Sequence, residues 1–405
     1  MHVPGWHEAT KELQKEGKLQ MVGIIEEQHP DRARLFMQWK QMGWPILVDS
    51  LNLLEVPYVP ITLAIDQNGI IRKVGLRVAE AEAIKETFLR QTYKKPAGVA
   101  TPQNAPPDLD KLRATTRGGG AEAWRAYANA LALWGGADQL GEAIAAYRQA
   151  LKLDPEHGLT HFRLGVAHRK RYDSDSRQPG DFREAVEHWS TALETDPNQY
   201  IWRRRIQQYG PRLDKPYPFY DWVATARKEI RAREETPAPL RVEPGGAEFA
   251  KPVKRFTTTE VAGKEPDPLG RVLRDEGELI QVETTLVPDT TTEGTSIRVY
   301  VVLRPHLAYK VHWNNEVDEL LFWTNPPKGW LVDSRNLTVA NPQDPVSQET
   351  RIVEFELRSA EKVESGSVTI PAYALYYVCE DVNGICMYRR QDVDIKIEAN
   401  TSGQN

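Results

Sequence analysis

Ala374-Leu-Tyr-Tyr-Val-Cys379-Glu-Asp-Val-Asn383-Gly384-Ile-Cys386-Met-Tyr388 is the stretch around which the chain can be read. Apolar and aromatic runs flank an Asn-Gly pair, the strongest short-range signal for a β-hairpin. Both cysteines of the 405-residue chain lie in it. Register decides what they can do. A two-residue turn at Asn383 and Gly384 sets Cys379 opposite Tyr388 and leaves the cysteines diagonal, too far apart for a relaxed disulfide. A four-residue loop from Asp381 to Gly384, with Gly384 at positive φ, sets Cys379 opposite Cys386 and makes a bridge feasible. The second register is favoured, because a thiol-poor chain places both cysteines on one hairpin. The bridge is then either a redox centre or an inert staple; two buried thiols that never pair are the third reading. A loop this short removes little chain entropy, which weakens the case for a staple.

The hairpin closes a strand-rich region over 238–400. Ile280, Val282, Thr284 and Leu286 alternate with polar residues, as do Ile297, Val299, Val301 and Leu303. Val353, Phe355 and Leu357, and later Val393, Ile395 and Ile397, repeat the pattern. Period two implies antiparallel sheets packed as a sandwich, each with one solvated face.

Upstream, over 121–233, the chain repeats itself. Ala143-x3-Tyr147-x2-Ala150-Leu-x2-Asp-Pro155 aligns with Ala185-x3-Trp189-x2-Ala192-Leu-x2-Asp-Pro197. Paired helices with small contact residues follow, and the stacked pairs share a core. The spacing of 42 exceeds the roughly 34 residues of the commonest helical-pair repeat; the polar insertion Tyr172 to Gly180 accounts for the excess. So short a stack is expected to dock on a neighbouring domain. Its role is either a peptide or protein docking groove or a spacer. His157 and His161 are four apart, with His168 and His188 in the same region, but the Glu of a His-Glu-x-x-His motif is missing and Gly158 weakens the helix. Solvated helix-end histidines are expected, and no metal.

Residues 1–95 alternate helix and strand patterns, an α/β layer. Trp6–Glu16 is expected as a helix, Leu19–Ile25 as a strand, a helix starts with Asp31 as its cap, and Ile46–Val48 is a second strand. Ile61–Ile65 turns through Asp66-Gln-Asn-Gly69 into Ile70–Val74, and a helix covers Ala79–Tyr93. A Pro-, Ala-, Thr- and Gly-rich linker spans 96–120.

With 27% charged residues and a formal net charge of −5, nothing favours nucleic acid or an anionic membrane. No apolar run is long enough to span a bilayer, and the polar N-terminus lacks a signal-peptide core. If Met1 is the true start, a cytoplasmic location follows. The eleven tryptophans suggest packed or recognition-rich surfaces. Asn336-Leu-Thr338 and Asn400-Thr-Ser402 match the glycosylation sequon, which arises often by chance.

Three resemblances add to this reading. Val56-Pro-Tyr-Val59-Pro60-Ile-Thr-Leu-Ala-Ile-Asp66-Gln-Asn-Gly69 resembles the Val-Pro-Thr-Thr-Phe-Leu-Ile-Asp-x-x-Gly segment of thioredoxin-fold proteins of the TlpA/ResA and peroxiredoxin type. The match implies a cis peptide at Pro60, facing that family's active site. The family's Cys-x-x-Cys and its preceding strand have no counterpart here, so this truncated thioredoxin-like domain has no low-pKa thiolate to exchange. The repeat resembles the second helix of tetratricopeptide repeats. His306 to Trp330, together with the cysteine hairpin, is similar to the N-terminal periplasmic domain of DsbD-type thiol:disulfide interchange proteins, although Asn315-Glu316 stands where that family has Asn-Pro-Gly and its cysteine spacing is tighter.

The resemblances imply a truncated thioredoxin-like fold, a tetratricopeptide-type module and an immunoglobulin-like β-sandwich in one multidomain chain. They imply a thiol:disulfide relay through Cys379 and Cys386, in an extracytoplasmic, periplasmic setting, with a thioredoxin-like or other redox protein as partner and a peptide or protein at the helical module. No cofactor is expected. Glu380 and Asp381 would raise a thiol pKa beside Cys379, and Tyr376, Tyr377 and Tyr388 would shield the pair. The competing reading is a redox-silent scaffold or assembly protein in which the cysteine pair is structural.

Overall fold

The computed structural model describes residues 2–94, 97–98, 105–211, 222–240, 264–276, 278–289, 295–359, 366–380 and 384–398. The chain divides into two compact units, Met1–Arg205 with Asp221–Val242, and Ile206–Tyr220 with Glu243–Asn405. It is a multidomain chain of mixed helix and sheet.

The first unit opens with α1 (His2–Lys15), β1 (Gly23–Ile25), α2 (Pro30–Trp39), β2 (Ile46–Val48), β3 (Leu63–Ile65), β4 (Ile71–Val74) and α3 (Ala81–Phe88). β1 pairs in parallel with β2, and β3 pairs antiparallel with β4. Trp6 of α1 buries against Met42, Trp44 and Ala81. The β3–β4 turn forms as its sequence predicts: Asp66 Oδ1 accepts from the backbone N–H of Asn68 and Ile70 at 2.8 and 3.1 Å, and Gly69 takes φ +79°.

Several expectations shift. Asp31 is not the cap of α2. His29 is the N-cap, Pro30 occupies the first turn, and Asp31 follows inside it; proline's fixed φ favours that position and moves the boundary forward. The strand expected over Leu19–Ile25 shortens to Gly23–Ile25. The helix expected over Ala79–Tyr93 becomes a 3₁₀ turn at Val78–Glu80 followed by α3. The expected linker carries a helix, α4 (Leu109–Thr115), capped by Asp108, whose side chain accepts from the Lys111 N–H at 3.0 Å; residues 96 and 99–104 of that linker lie outside the described residues.

The helical module follows as α5 (Ala121–Trp134), α6 (Leu140–Leu153), α7 (Gly158–Tyr172), α8 (Asp181–Thr195) and α9 (Tyr200–Gln207). The repeated positions are its core: Ala143, Tyr147 and Ala150, and their counterparts Ala185, Trp189 and Ala192, are all fully buried. Gly165 lets α7 approach α8, because a Cβ there would stand 2.6 Å from the Trp189 ring and 2.9 Å from the Ala185 carbonyl oxygen. This module and the α/β layer share one unit. Arg163 of α7 donates to the carbonyls of Leu51 and Asn52 at 3.0 and 3.1 Å, and the Tyr200 N–H donates to the Pro57 carbonyl at 3.1 Å. α10 (Trp222–Ala232) returns to α2, burying Val223, Ala226 and Ile230 around Leu35.

The second unit is β5 (Ile280–Pro288), β6 (Thr295–Pro305), β7 (Val311–Asn314), β8 (Leu320–Thr324), β9 (Trp330–Val332), β10 (Asn336–Val339), β11 (Val346–Ser347), β12 (Arg351–Ser359), β13 (Ser367–Glu380) and β14 (Ile385–Glu398). One sheet runs β5-β6-β12-β9. The other runs β10-β8-β13-β7-β11, with β14 also on β13. Inward residues of both sheets, among them Val299, Val301, Phe355, Trp313, Phe322, Tyr376 and Val378, form one core. The expected solvated outer face fails at β6, where Arg298, Tyr300 and Val302 are buried as well. The reason is a cover and a buried charge network. The Tyr300 hydroxyl donates to the Tyr209 carbonyl at 2.7 Å, and Arg298 pairs with Glu354 and Glu356 across the ladder.

Candidate functional site: the disulfide hairpin

β13 is the central strand of its sheet. β14 pairs along its whole length, with Cys379 directly opposite Cys386 and Glu380 opposite Ile385. The loop is therefore the four-residue one, Asp381 to Gly384, and Gly384 takes φ +61°; Asp381, Val382 and Asn383 lie outside the described residues. The cysteines are bonded, with Cα atoms 4.0 Å apart.

On its other edge β13 pairs first with β8, at Ala372 to Leu375, and then with β7, where Cys379 faces His312. Residues directly opposite in a ladder share a face. His312, Cys379 and Cys386 thus form one row across three strands. One rung along, Tyr377 faces Tyr388 with ring centroids 4.5 Å apart. Burial raises the Tyr388 hydroxyl above its ordinary pKa, and the neighbouring Tyr377 adds to the shift.

The two sulfur-bearing residues differ in exposure. Cys379 is 2% exposed, whereas Cys386 is open to solvent. Of the two, Cys386 is therefore the residue that solvent reaches.

Strand alternation corrects two expectations. Tyr376 points the opposite way, into the core, where its hydroxyl donates to Asp275 Oδ2 at 2.6 Å and its ring meets Trp313 edge-on; it does not shield the pair. Glu380 alternates with Cys379 and so sits on the other face, removing it as a direct electrostatic neighbour of the thiol. Tyr377 and Tyr388 do share the cysteines' face. His312 was not singled out from the sequence. Only the β13–β7 pairing, which joins residues nearly seventy positions apart, brings it to the row. Its neighbour Trp313 is core, fully buried, with Nε1 donating to the Glu349 carbonyl at 2.9 Å.

The same face is held further along by the segment before β5. Arg390 donates to Asp267 Oδ2 at 3.0 Å and lies over the Tyr373 ring. The Asp275 N–H donates to the Arg390 carbonyl at 2.8 Å, and the Arg390 N–H donates to the Leu273 carbonyl at 2.9 Å. Pro60 belongs to the first unit. Its peptide bond with Val59 is cis, and the loop is open to solvent, with Tyr58 59% exposed.

No family model matches the chain, and no curated protein matches it. Among solved structures it is similar to one described as a FixG-related protein from Vibrio parahaemolyticus. The identity is 8%, over 29% of this chain and 96% of that one, with a TM-score of 0.12; so slight a likeness carries no argument. Among the described residues no helix is long and apolar enough to cross a membrane.

Proposed function

We propose that the second unit is a thiol:disulfide exchange module of the DsbD N-terminal type, working through Cys379 and Cys386. The observation that carries this reading is the asymmetry of the pair: one cysteine buried in the central strand, the other exposed beside the hairpin loop. In the reduced form, the Cys386 thiolate attacks a partner disulfide and expels one partner thiolate. The Cys379 thiolate then attacks Cys386 sulfur, expelling the second partner sulfur and restoring the bridge. Two electrons pass to the partner, and the reverse sequence reduces the pair. His312, directly opposite Cys379 in the neighbouring strand, would exchange a proton with the buried cysteine. A bridge of this kind belongs to an oxidising, extracytoplasmic compartment. The first unit, with its cis Pro60 and its helical pairs, is read as a thioredoxin-like and tetratricopeptide-type docking unit for the redox partner.

The test is a redox titration of the intact chain, alkylating free thiols and reading the mass. A midpoint between about −120 and −270 mV supports exchange; one below about −300 mV makes the bridge a staple and returns the chain to the scaffold reading. In parallel, Cys379→Ser should take up glutathione from its disulfide at Cys386 readily, and Cys386→Ser should not. Equal labelling of the two would contradict the assigned roles.

A further inference from the structure

We propose that His168, Glu184 and His188, in the helical module, form a binding site for one divalent cation of the zinc type. His168 projects from α7, and Glu184 and His188 lie four apart on α8, hence on one helix face. One ligand atom from each lies within 4.8 Å of the others.

The hydrogen bonds around the cluster fix which nitrogens are bare. His168 is 1% exposed, and its Nδ1 lies 3.0 Å from Oδ1 of the equally buried Asp181. That carboxylate also accepts from Arg171 and from the Gln178 N–H, so His168 must donate through Nδ1. Its Nε2 is then a lone pair, buried, without a hydrogen-bond partner and 4.0 Å from Glu184 Oε2. A carboxylate behind an imidazole, with the far nitrogen bare, is the arrangement that orients a metal-binding histidine.

The same logic runs through His188. His161 Nε2 donates to the Pro155 carbonyl at 2.9 Å, which makes its Nδ1 an acceptor. His188 Nδ1, at 3.1 Å, therefore donates to it, and His188 Nε2 carries the lone pair.

The donor set, two imidazoles and a carboxylate, suits zinc and its neighbours better than calcium or magnesium. In a tetrahedral site the ligand atoms stand roughly 3.4 Å apart, closer than the 4.8 Å within which they now lie, so the three side chains draw in on binding. Arg148 now donates to Glu184 Oε2 at 3.0 Å. Its side chain is half exposed, and the ion displaces it. His157, one of the two histidines four apart in the sequence, is not part of the site: its Nδ1 accepts from the Thr160 N–H and caps α7.

The full chain, stripped with chelator, is titrated with zinc chloride by calorimetry and with Co(II) by visible absorption. One saturable site per chain is expected. Affinity should fall at least tenfold in His188→Gln and in the helix-surface variant Glu184→Gln, and stay unchanged in His157→Gln. Absence of a one-per-chain site in the wild type would overturn the proposal. So would equal affinity in the wild type and in a Glu184→Gln variant whose circular dichroism shows it folded.

Discussion

Glu26 gives the sharpest test of how the first unit is held together. Its side chain is part-buried, and Oε2 has no hydrogen-bond partner. Burial first, and the nearby Asp49 carboxylate second, raise its pKa from the ordinary 4.5 to about 7, against the pull of Arg205. The folded state therefore holds a proton that the unfolded state releases near pH 4.5. Stability from this group is fully present below pH 4.5 and is lost as pH rises through about 7. At about 1.4 kcal/mol per pH unit, the interval from 4.5 to 7 sets a ceiling of roughly 3.4 kcal/mol. Discounted for the part of the side chain that water reaches, the loss is about 1–2 kcal/mol. Glu26→Gln stays neutral at every pH and should escape it. The variant's first unit should melt about 3–6 °C above wild type at pH 8, with most of that gain gone at pH 5. The assay is calorimetry at both pH values, following the first unit's transition, since two units need not unfold together. A Glu26→Gln shift that is the same at pH 5 and pH 8 would refute the reasoning.

Gly165→Ala should destabilise the helical module by about 1–3 kcal/mol, because its Cβ meets the Trp189 ring at 2.6 Å and backbone at 2.9 Å; denaturant unfolding that moves by less than half of that would mean the helices can part. Glu356→Ala strips Arg298 of its fully buried carboxylate and leaves Glu354 as its charged partner in the ladder, and should cost the second unit about 3 kcal/mol, read from the shift in its urea midpoint. Reducing the Cys379–Cys386 bridge should lower that unit's stability by no more than about 2.5 kcal/mol without loss of its near-ultraviolet circular dichroism, and a reduced chain that fails to show a folded signal would contradict this.

Local patterns carried a good deal of this architecture. The Asp66–Gly69 turn, the repeated Ala-aromatic-Ala helices and the hairpin register are each written in residues a few positions apart, where propensity and turn chemistry decide. The hairpin was legible because Asn383-Gly384 and two cysteines constrain the same seven-residue separation. Non-local features were not legible. Alternation alone could not tell that the outer face of β6 would be covered, since Arg298 and Glu356 look solvated until each is seen as the other's partner. The same holds for His312, which only sheet order sets beside Cys379, and for His168, Glu184 and His188, which come together only when α7 packs on α8 through Gly165. Asp31 shows a smaller failure of the same kind: it is a good cap in isolation, but Pro30 before it competes for the first turn.

The hairpin's strength bears on its chemistry. An exchange centre has to survive both redox states, so the fold around it cannot depend on the bridge. β13 and β14 are each 14 residues long and pair from Ser367–Glu398 to Glu380–Ile385. With cross-strand pairs each contributing roughly 0.2–1 kcal/mol, the ladder outweighs the short-loop entropy the bridge removes, about 2.5 kcal/mol at most. The Tyr377–Tyr388 contact one rung away, and the Asp275 and Arg390 bonds that hold the segment before β5, are independent of the sulfurs. Opening the bond would then leave Cys379 packed between His312 and Cys386, with its strand still paired on both edges. Its thiolate would stay within reach of the Cys386 sulfur, so re-closing the bridge needs side-chain rotation rather than refolding. That arrangement is what the resolving role proposed for Cys379 would need.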